Sequence, residues 1–220
     1  VQRLQPSLDV VWHGIGAQLR KPSGLGGRIA GGVMTFANAK PNALAIAALG
    51  LRDEESLIEL GCGPGHALRA LLRSAPRARV IGLDWSEVML ARAARRNRPE
   101  IEAGQLALIR GDFAALPFMA ETADAILAVN VVYFMGSAAA AREAHRVLRP
   151  GGRIVLYASD RSAMRGWPFA GPETHRLFDQ DELAALLVAA GFAAESLRID
   201  TVDAGFGVKG LLAKAHKTEG

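Results

Sequence analysis

Short apolar runs alternate with stretches of helical spacing from about residue 41 to the end of the chain. Asn42 to Leu49 has a helical pattern, with Pro41 near its start and Gly50 placed as a C-terminal cap. Ser56 to Leu60 reads as a short apolar strand, and Ala67 to Arg73 as a helix of strong formers. Arg79 to Asp84 is a second strand that ends in an acid, and Leu106 to Phe113 is a third that ends in Gly111-Asp112-Phe113. Asp124 to Asn130 is a fourth strand, and its unbroken apolar run predicts burial on both faces. Ala138 to Leu148 is a helix, Arg149 to Gly152 a turn, and Arg153 to Tyr157 the fifth strand. A polar loop covers Ser159 to Gly171. Asp179 and Glu182 then resemble a capping box at the start of a helix over Glu182 to Ala190. Glu195 to Val202 and Gly207 to Ala215 alternate enough for two tail strands. Strands alternating with helices predict an α/β domain with a mostly parallel sheet.

Residues 1–40 do not share this rhythm. Five glycines crowd positions 24–32, and apolar clusters surround them, including Trp12, His13 and Phe36. This segment packs on something, but it has too many glycines and too few basic residues for an amphipathic membrane helix. It is set apart as one unit, with residues 41–220 as the other.

The chain has 220 residues, enough for one substantial domain with extra helices. Half of them are apolar, so a packed globule is expected. The longest uncharged run, Ala125 to Ala141, contains Asn130, Gly136 and Ser137 and reads as a buried strand plus loop, with no membrane span. One cysteine excludes an internal disulfide and a cysteine-based zinc site, and no metal site is expected. With no secretory pattern at the start, this leads us to expect a cytoplasmic setting. The net charge of +4 is mild. Part of it comes from Arg92, Arg95 and Arg96, which fall on one helical face and read as solvated, without the interleaved aromatics of single-strand binders. Nucleic acid is not the expected partner.

The candidate chemistry is concentrated in Glu59-Leu60-Gly61-Cys62-Gly63-Pro64-Gly65-His66, between the first strand and its helix. Glycines at alternate positions allow a sharp turn and leave room for a ligand against the main chain. The loop runs into a helix N-terminus, where free amides favour anionic or electron-rich groups. The dinucleotide fingerprint of dehydrogenases needs a glycine where this chain has His66. Asp84 lies a little over twenty residues beyond Gly61, where a βαβ unit places the acid that takes ribose hydroxyls. An ordinary helix cap is the other reading of Asp84, although Ser86 can also cap that helix. Trp85 offers an apolar face to a sugar or base, and Met89 follows one turn later; both also fit as core.

Glu59-x-Gly61-x-Gly63-x-Gly65 resembles motif I of class I S-adenosylmethionine (SAM) methyltransferases. The string Leu148-Arg149-Pro150-Gly151-Gly152 resembles the helix–turn–strand element of the same family. The resemblance spans about Pro41 to Ala215. It implies a three-layer Rossmann-like fold with a seven-stranded, mostly parallel sheet, a C-terminal antiparallel strand pair and an N-terminal helical lid over residues 1–40. A plain helical cover of the sheet fits that segment equally. The implied cofactor is SAM, leaving S-adenosylhomocysteine (SAH). Glu59, Gly61, Cys62, Gly63, Gly65, Asp84, Trp85, Met89 and Asn130 would bind it, and Asp112 with the backbone of Phe113 would hold the adenine.

The acceptor pocket is expected to contain Trp12, Phe36, Tyr133, Phe134, Trp167 and Phe169, an aromatic lining suited to a small organic molecule. Where the acceptor must lose a proton, His13, His175 and Tyr133 are the candidate bases. The fourth strand is not followed by the Asn-Pro-Pro-Tyr or Asp-Pro-Pro-Tyr tetrapeptide of amino-methylating enzymes. Three readings remain: a small-molecule methyltransferase, a SAM-binding scaffold without turnover, and a nucleic-acid methyltransferase. The sequence leaves the methylated atom and the oligomeric state open.

Overall fold

The computed structural model describes residues 38–134, 138–164, 176–205 and 207–219. Most of the expected lid therefore lies outside the described residues. Helix α1 spans Ala39–Leu49 and ends on Gly50, which adopts the left-handed conformation expected of a cap. Seven strands follow: β1 Ser56–Leu60, β2 Arg79–Asp84, β3 Leu106–Arg110, β4 Ala123–Val129, β5 Leu148–Ser159, β6 Arg198–Asp203 and β7 Lys209–His216. The intervening helices are α2 His66–Ser74, α3 Glu87–Arg96, α4 Arg98–Glu102, α5 Ala138–Val147, α6 Arg161–Met164 and α7 Gln180–Ala189.

The strands form one sheet in the order β3-β2-β1-β4-β5-β7-β6. The first five are parallel, and β7 runs against both β5 and β6. The alternating pattern predicts this mostly parallel α/β sheet, and the family resemblance implies its seven strands and antiparallel tail pair. Alternate residues of each strand feed two separate cores. Ile58, Leu60 and Ile126 pack beneath α5 and α7. Leu57, Ala125 and Leu127 pack against α1 and α2 on the opposite face. Strands buried on both sides need such continuous apolar runs.

Element boundaries differ from expectation where local chemistry intervenes. The third strand stops at Arg110, because the Asp112 carboxylate takes the Ala114 amide at 2.9 Å and bends the chain into a turn. The Arg149–Gly152 turn lies inside β5 as a bulge, across which the pairing jumps from Ala123 with Leu148 to Ala125 with Arg153. The capping box of α7 is complete: the Glu182 amide reaches Asp179 at 3.0 Å and the Asp179 amide reaches Glu182 at 3.1 Å. The helix consequently begins at Gln180, ahead of its expected start at Glu182. The short helices α4 and α6 are not apparent in the hydrophobic pattern, being too short to show a period. No helix among the described residues is long and apolar enough to cross a membrane.

Candidate functional site

The chain runs from β1 outward through β2 to β3 and then crosses back to β4 on the other side of β1, so a crevice opens at the carboxyl ends of β1 and β4. The glycine loop joins β1 to α2 there. The Gly61 and Cys62 amides both donate to Leu83 O, at 2.7 and 3.1 Å, and the Gly65 amide donates to Cys62 O at 3.0 Å. Gly61, Gly63 and Gly65 all have positive φ, at 70°, 51° and 78°. Gly65 is packed tight: a Cβ on it would meet Asn97 Nδ2 at 2.5 Å and Ala93 Cα at 3.0 Å. Among the described residues nothing lies within 4 Å of that position on Gly63, so its backbone faces open space there.

Asp84 underlies the loop. One carboxylate oxygen accepts from the Gly63 amide at 2.9 Å, and the other from the Ser86 amide at 2.8 Å. The carboxyl is buried, and burial holds it above the usual range while the Ser86, Gly63 and Trp85 amides pull it down. Ser86, not Asp84, caps α3, accepting from the Met89 amide at 3.4 Å. Asp84 therefore joins strand end, loop and helix start in one group. Trp85 is half-buried beside it, and Met89 is buried in the core.

Glu59 is paired in register with Gly82 and Leu127 and is almost wholly buried. Its Oε2 has no hydrogen-bond partner among the described residues. Desolvation, and then the nearby Asp84, push its pKa up to about 8. The Cys62 side chain turns inward to pack with Leu68 and Leu71 on the α2 side, and burial raises its thiol pKa. Only the Cys62 backbone therefore belongs to the loop's ligand face. His66 opens α2 without capping it, and burial and Arg96 lower its pKa. Asp112 is exposed, and Phe113 is buried with Val131 and Leu116 beneath the loop.

The adjoining edge, over β4 and β5, is built from side chains. Asn130 takes a left-handed conformation with φ of 56°. Its Nδ2 donates to Asn38 Oδ1 at 2.8 Å, and its Oδ1 accepts from the Tyr133 hydroxyl at 2.8 Å. The same hydroxyl accepts from the Ser159 amide. Tyr133 was a candidate base, but its hydroxyl is buried, committed to these two partners, and held far above its ordinary pKa by desolvation. It acts as an anchor between the ends of β4 and β5. Trp12, His13, Phe36, Trp167, Phe169 and His175 lie outside the described residues, as does the side chain of Phe134.

Sequence reasoning missed three contributors: Asn38, Ser159 and Asn97. Each acts on a residue distant in sequence, so no local pattern marks it. Arg96 was read as part of a solvated face. It is exposed, yet its Nε donates to Pro64 O at 3.0 Å.

The methyltransferase-domain sequence profile matches residues 58–156, which carry β1 through most of β5. The uncharacterized methyltransferase YdaC of Bacillus subtilis is 31% identical over 165 residues, covering 74% of this chain and 86% of its own. Trans-aconitate 2-methyltransferase of Azoarcus sp. is 34% identical over 154 residues, covering 67% of this chain and 57% of its own. Against several further relatives the chain spans less than half of their length. In three dimensions, Haemonchus contortus phosphoethanolamine N-methyltransferase 2 in complex with SAM superposes with a TM-score of 0.72 at 13% identity, over 87% of this chain and 57% of its own. The open backbone at Gly63, the unpartnered Glu59 oxygen and the buried Asp84 carboxylate fit a cofactor that is both cationic and rich in hydroxyls. The chain belongs to the class I SAM-dependent methyltransferases, with SAM as its cofactor.

Proposed function

We propose that this enzyme methylates a nucleophilic atom of a small organic acceptor, bound at the β4–β5 edge beside the cofactor loop. The observation that carries this reading is the open Gly63 backbone above two buried acids at the switch point of the sheet, flanked by an edge whose polar groups satisfy one another. Such an edge offers an acceptor mainly shape and apolar contact, as small-molecule pockets do. The named activity of the Azoarcus relative, methylation of trans-aconitate, supports the same class of acceptor.

When bound, the cofactor supplies a methyl group already activated on sulfur, so the protein need not form a covalent intermediate. The protein's work is alignment and exclusion of water, and alignment contributes on the order of 7–11 kcal/mol in favourable cases. Asp84, itself fixed by the Gly63 and Ser86 amides, would take the ribose hydroxyls. Asp112 and the Phe113 backbone would hold the adenine edge. Glu59 would meet the cationic part of the cofactor from below. His13 and His175 are the candidate bases for an acceptor that must lose a proton.

The test supplies the protein with SAM labelled on its methyl group, together with phenols, quinols, carboxylic acids, amines, transfer RNA and duplex DNA. Label in a small organic acceptor is expected. Label confined to RNA or DNA would replace this reading with a nucleic-acid methyltransferase, and no transfer to any acceptor by protein that binds SAM would favour a scaffold.

A further inference from the structure

Asn97 is fully buried where α3 ends and α4 begins. An asparagine in that place ordinarily turns its side-chain oxygen onto the amides of the helix it opens. Asn97 does not: α4 has no side-chain cap, and Asn97 Oδ1 is buried without a partner among the described residues. Its Nδ2 instead donates to Ala93 O at 2.9 Å and to Gly65 O at 3.1 Å. The orientation follows from the partners, since both are carbonyl oxygens and only the amide nitrogen can serve them. A residue that gives up its own helix cap and leaves an acceptor unmet breaks a local rule at a cost, and such breaks concentrate at functional sites.

The adjacent Arg96 acts in the same way from the surface, with Nε on Pro64 O at 3.0 Å. Two consecutive residues thus hold two consecutive carbonyls of the glycine loop. In a trans peptide the N–H points opposite the C=O. Drawing Pro64 O toward α3 aims the Gly65 amide inward, where it closes the loop on Cys62 O at 3.0 Å. Drawing Gly65 O the same way aims the first amide of α2 away from α3. The N-terminal end of α3 meanwhile fixes Asp84 through the Ser86 amide. One helix therefore braces both the acid and the loop.

We propose that Asn97, seconded by Arg96, is a positioning residue that sets the shape of the glycine loop for cofactor binding. It touches the loop and not the cofactor, and the proposal rests on the reading of that loop as the cofactor site.

The test uses the full chain and two readouts: calorimetric affinity for SAH, and amide hydrogen exchange of residues 61–66 without ligand. Asn97→Asp sets a carboxylate against two carbonyls. Exchange over 61–66 is expected to quicken about tenfold while β5 keeps its protection, and SAH affinity to fall about tenfold. Arg96→Gln should weaken SAH about threefold with an unchanged melting temperature. Arg95→Gln, exposed one position earlier, should change neither. If Asn97→Asp does not fold, Asn97→Ser is judged by the same two readouts. Wild-type affinity in the folded Asn97 variant, with or without faster exchange, would overturn the proposal. Failure of the unaltered protein to bind SAH would overturn the cofactor reading itself, a result visible before any variant is made.

Discussion

Over β1 and β2 the sheet's carboxyl edge is finished by backbone, whereas over β4 and β5 it is finished by side chains. At the first edge the Gly61, Cys62, Gly63 and Gly65 amides are all placed by bonds to Leu83 O, Cys62 O or Asp84. At the second, Asn38, Asn130, Tyr133 and the Ser159 amide form a chain joining α1 to the ends of β4 and β5. A backbone-built edge depends on which residues permit the required φ. A side-chain edge depends on which distant groups meet. The two should therefore fail differently: the first should lose the ligand, and the second should lose stability or acceptor placement while keeping the cofactor.

The largest separation is expected within the first edge itself. Gly65→Ala adds a Cβ against Ala93 Cα and Asn97 Nδ2, at a φ that alanine resists. It should cost about 3 kcal/mol of folding stability and abolish detectable SAH binding, as read by urea unfolding and calorimetry. Gly63→Ala has a similar φ but open space around it. It should cost only about 1 kcal/mol of stability, yet weaken SAH by far more than that if the ligand occupies the space. Equal losses of stability and affinity at Gly63 would break the comparison.

Asp84→Ala comes next. It removes the acceptor for two amides and the proposed ribose contact, and should weaken SAM and SAH by about 1.5–3 kcal/mol. An unchanged dissociation constant would show that the ribose assignment of Asp84 is wrong.

Glu59 adds a pH signature. Burial, and then Asp84, push its pKa up from the ordinary 4.5 to about 8 in the folded protein, so the folded state holds the extra proton between those values. The unfolded chain binds fewer protons there, and the stability of ligand-free protein should fall as pH rises from about 4.5 to 8, by at most about 1.4 kcal/mol per unit. Glu59→Gln should flatten that slope, and urea unfolding at several pH values reads it directly.

The smallest effect is expected at the second edge. Tyr133→Phe removes the hydroxyl that joins Asn130 Oδ1 to the Ser159 amide and should cost about 1 kcal/mol of stability. SAH affinity should stay unchanged, and so should the shape of the pH–rate profile. Loss of an ascending limb of that profile would restore Tyr133 as a base.

These differences also explain what the sequence made legible. The Gly61–Gly65 spacing, the acid ending β2 and the Pro150-Gly151-Gly152 bulge are local devices, each written in adjacent residues with one conformational meaning. The mostly parallel α/β sheet followed from the alternation of strands and helices, but the strand order did not. The ties on Tyr133 were not legible, because a tyrosine just beyond a strand end looks the same in sequence whether its hydroxyl is free or tied. Only the fold brings Ser159 onto it. Asn97 escaped for the same reason, since its partner Gly65 is 32 residues away. The Arg96 contact with Pro64 is equally invisible to helical spacing, which reports the face of a residue and not the reach of its side chain. The side chains proposed for the acceptor pocket lie outside the described residues, apart from Tyr133, whose hydroxyl is already taken.

The most direct measurement is calorimetric titration of the full chain with SAM, SAH and NADH in parallel. The account predicts saturable one-site binding of both adenosyl compounds and no heat from NADH, because His66 stands where a dinucleotide loop requires glycine. Binding of NADH with silence from SAM and SAH would contradict it, and would mean that the open backbone at Gly63 holds a pyrophosphate instead of a methyl donor.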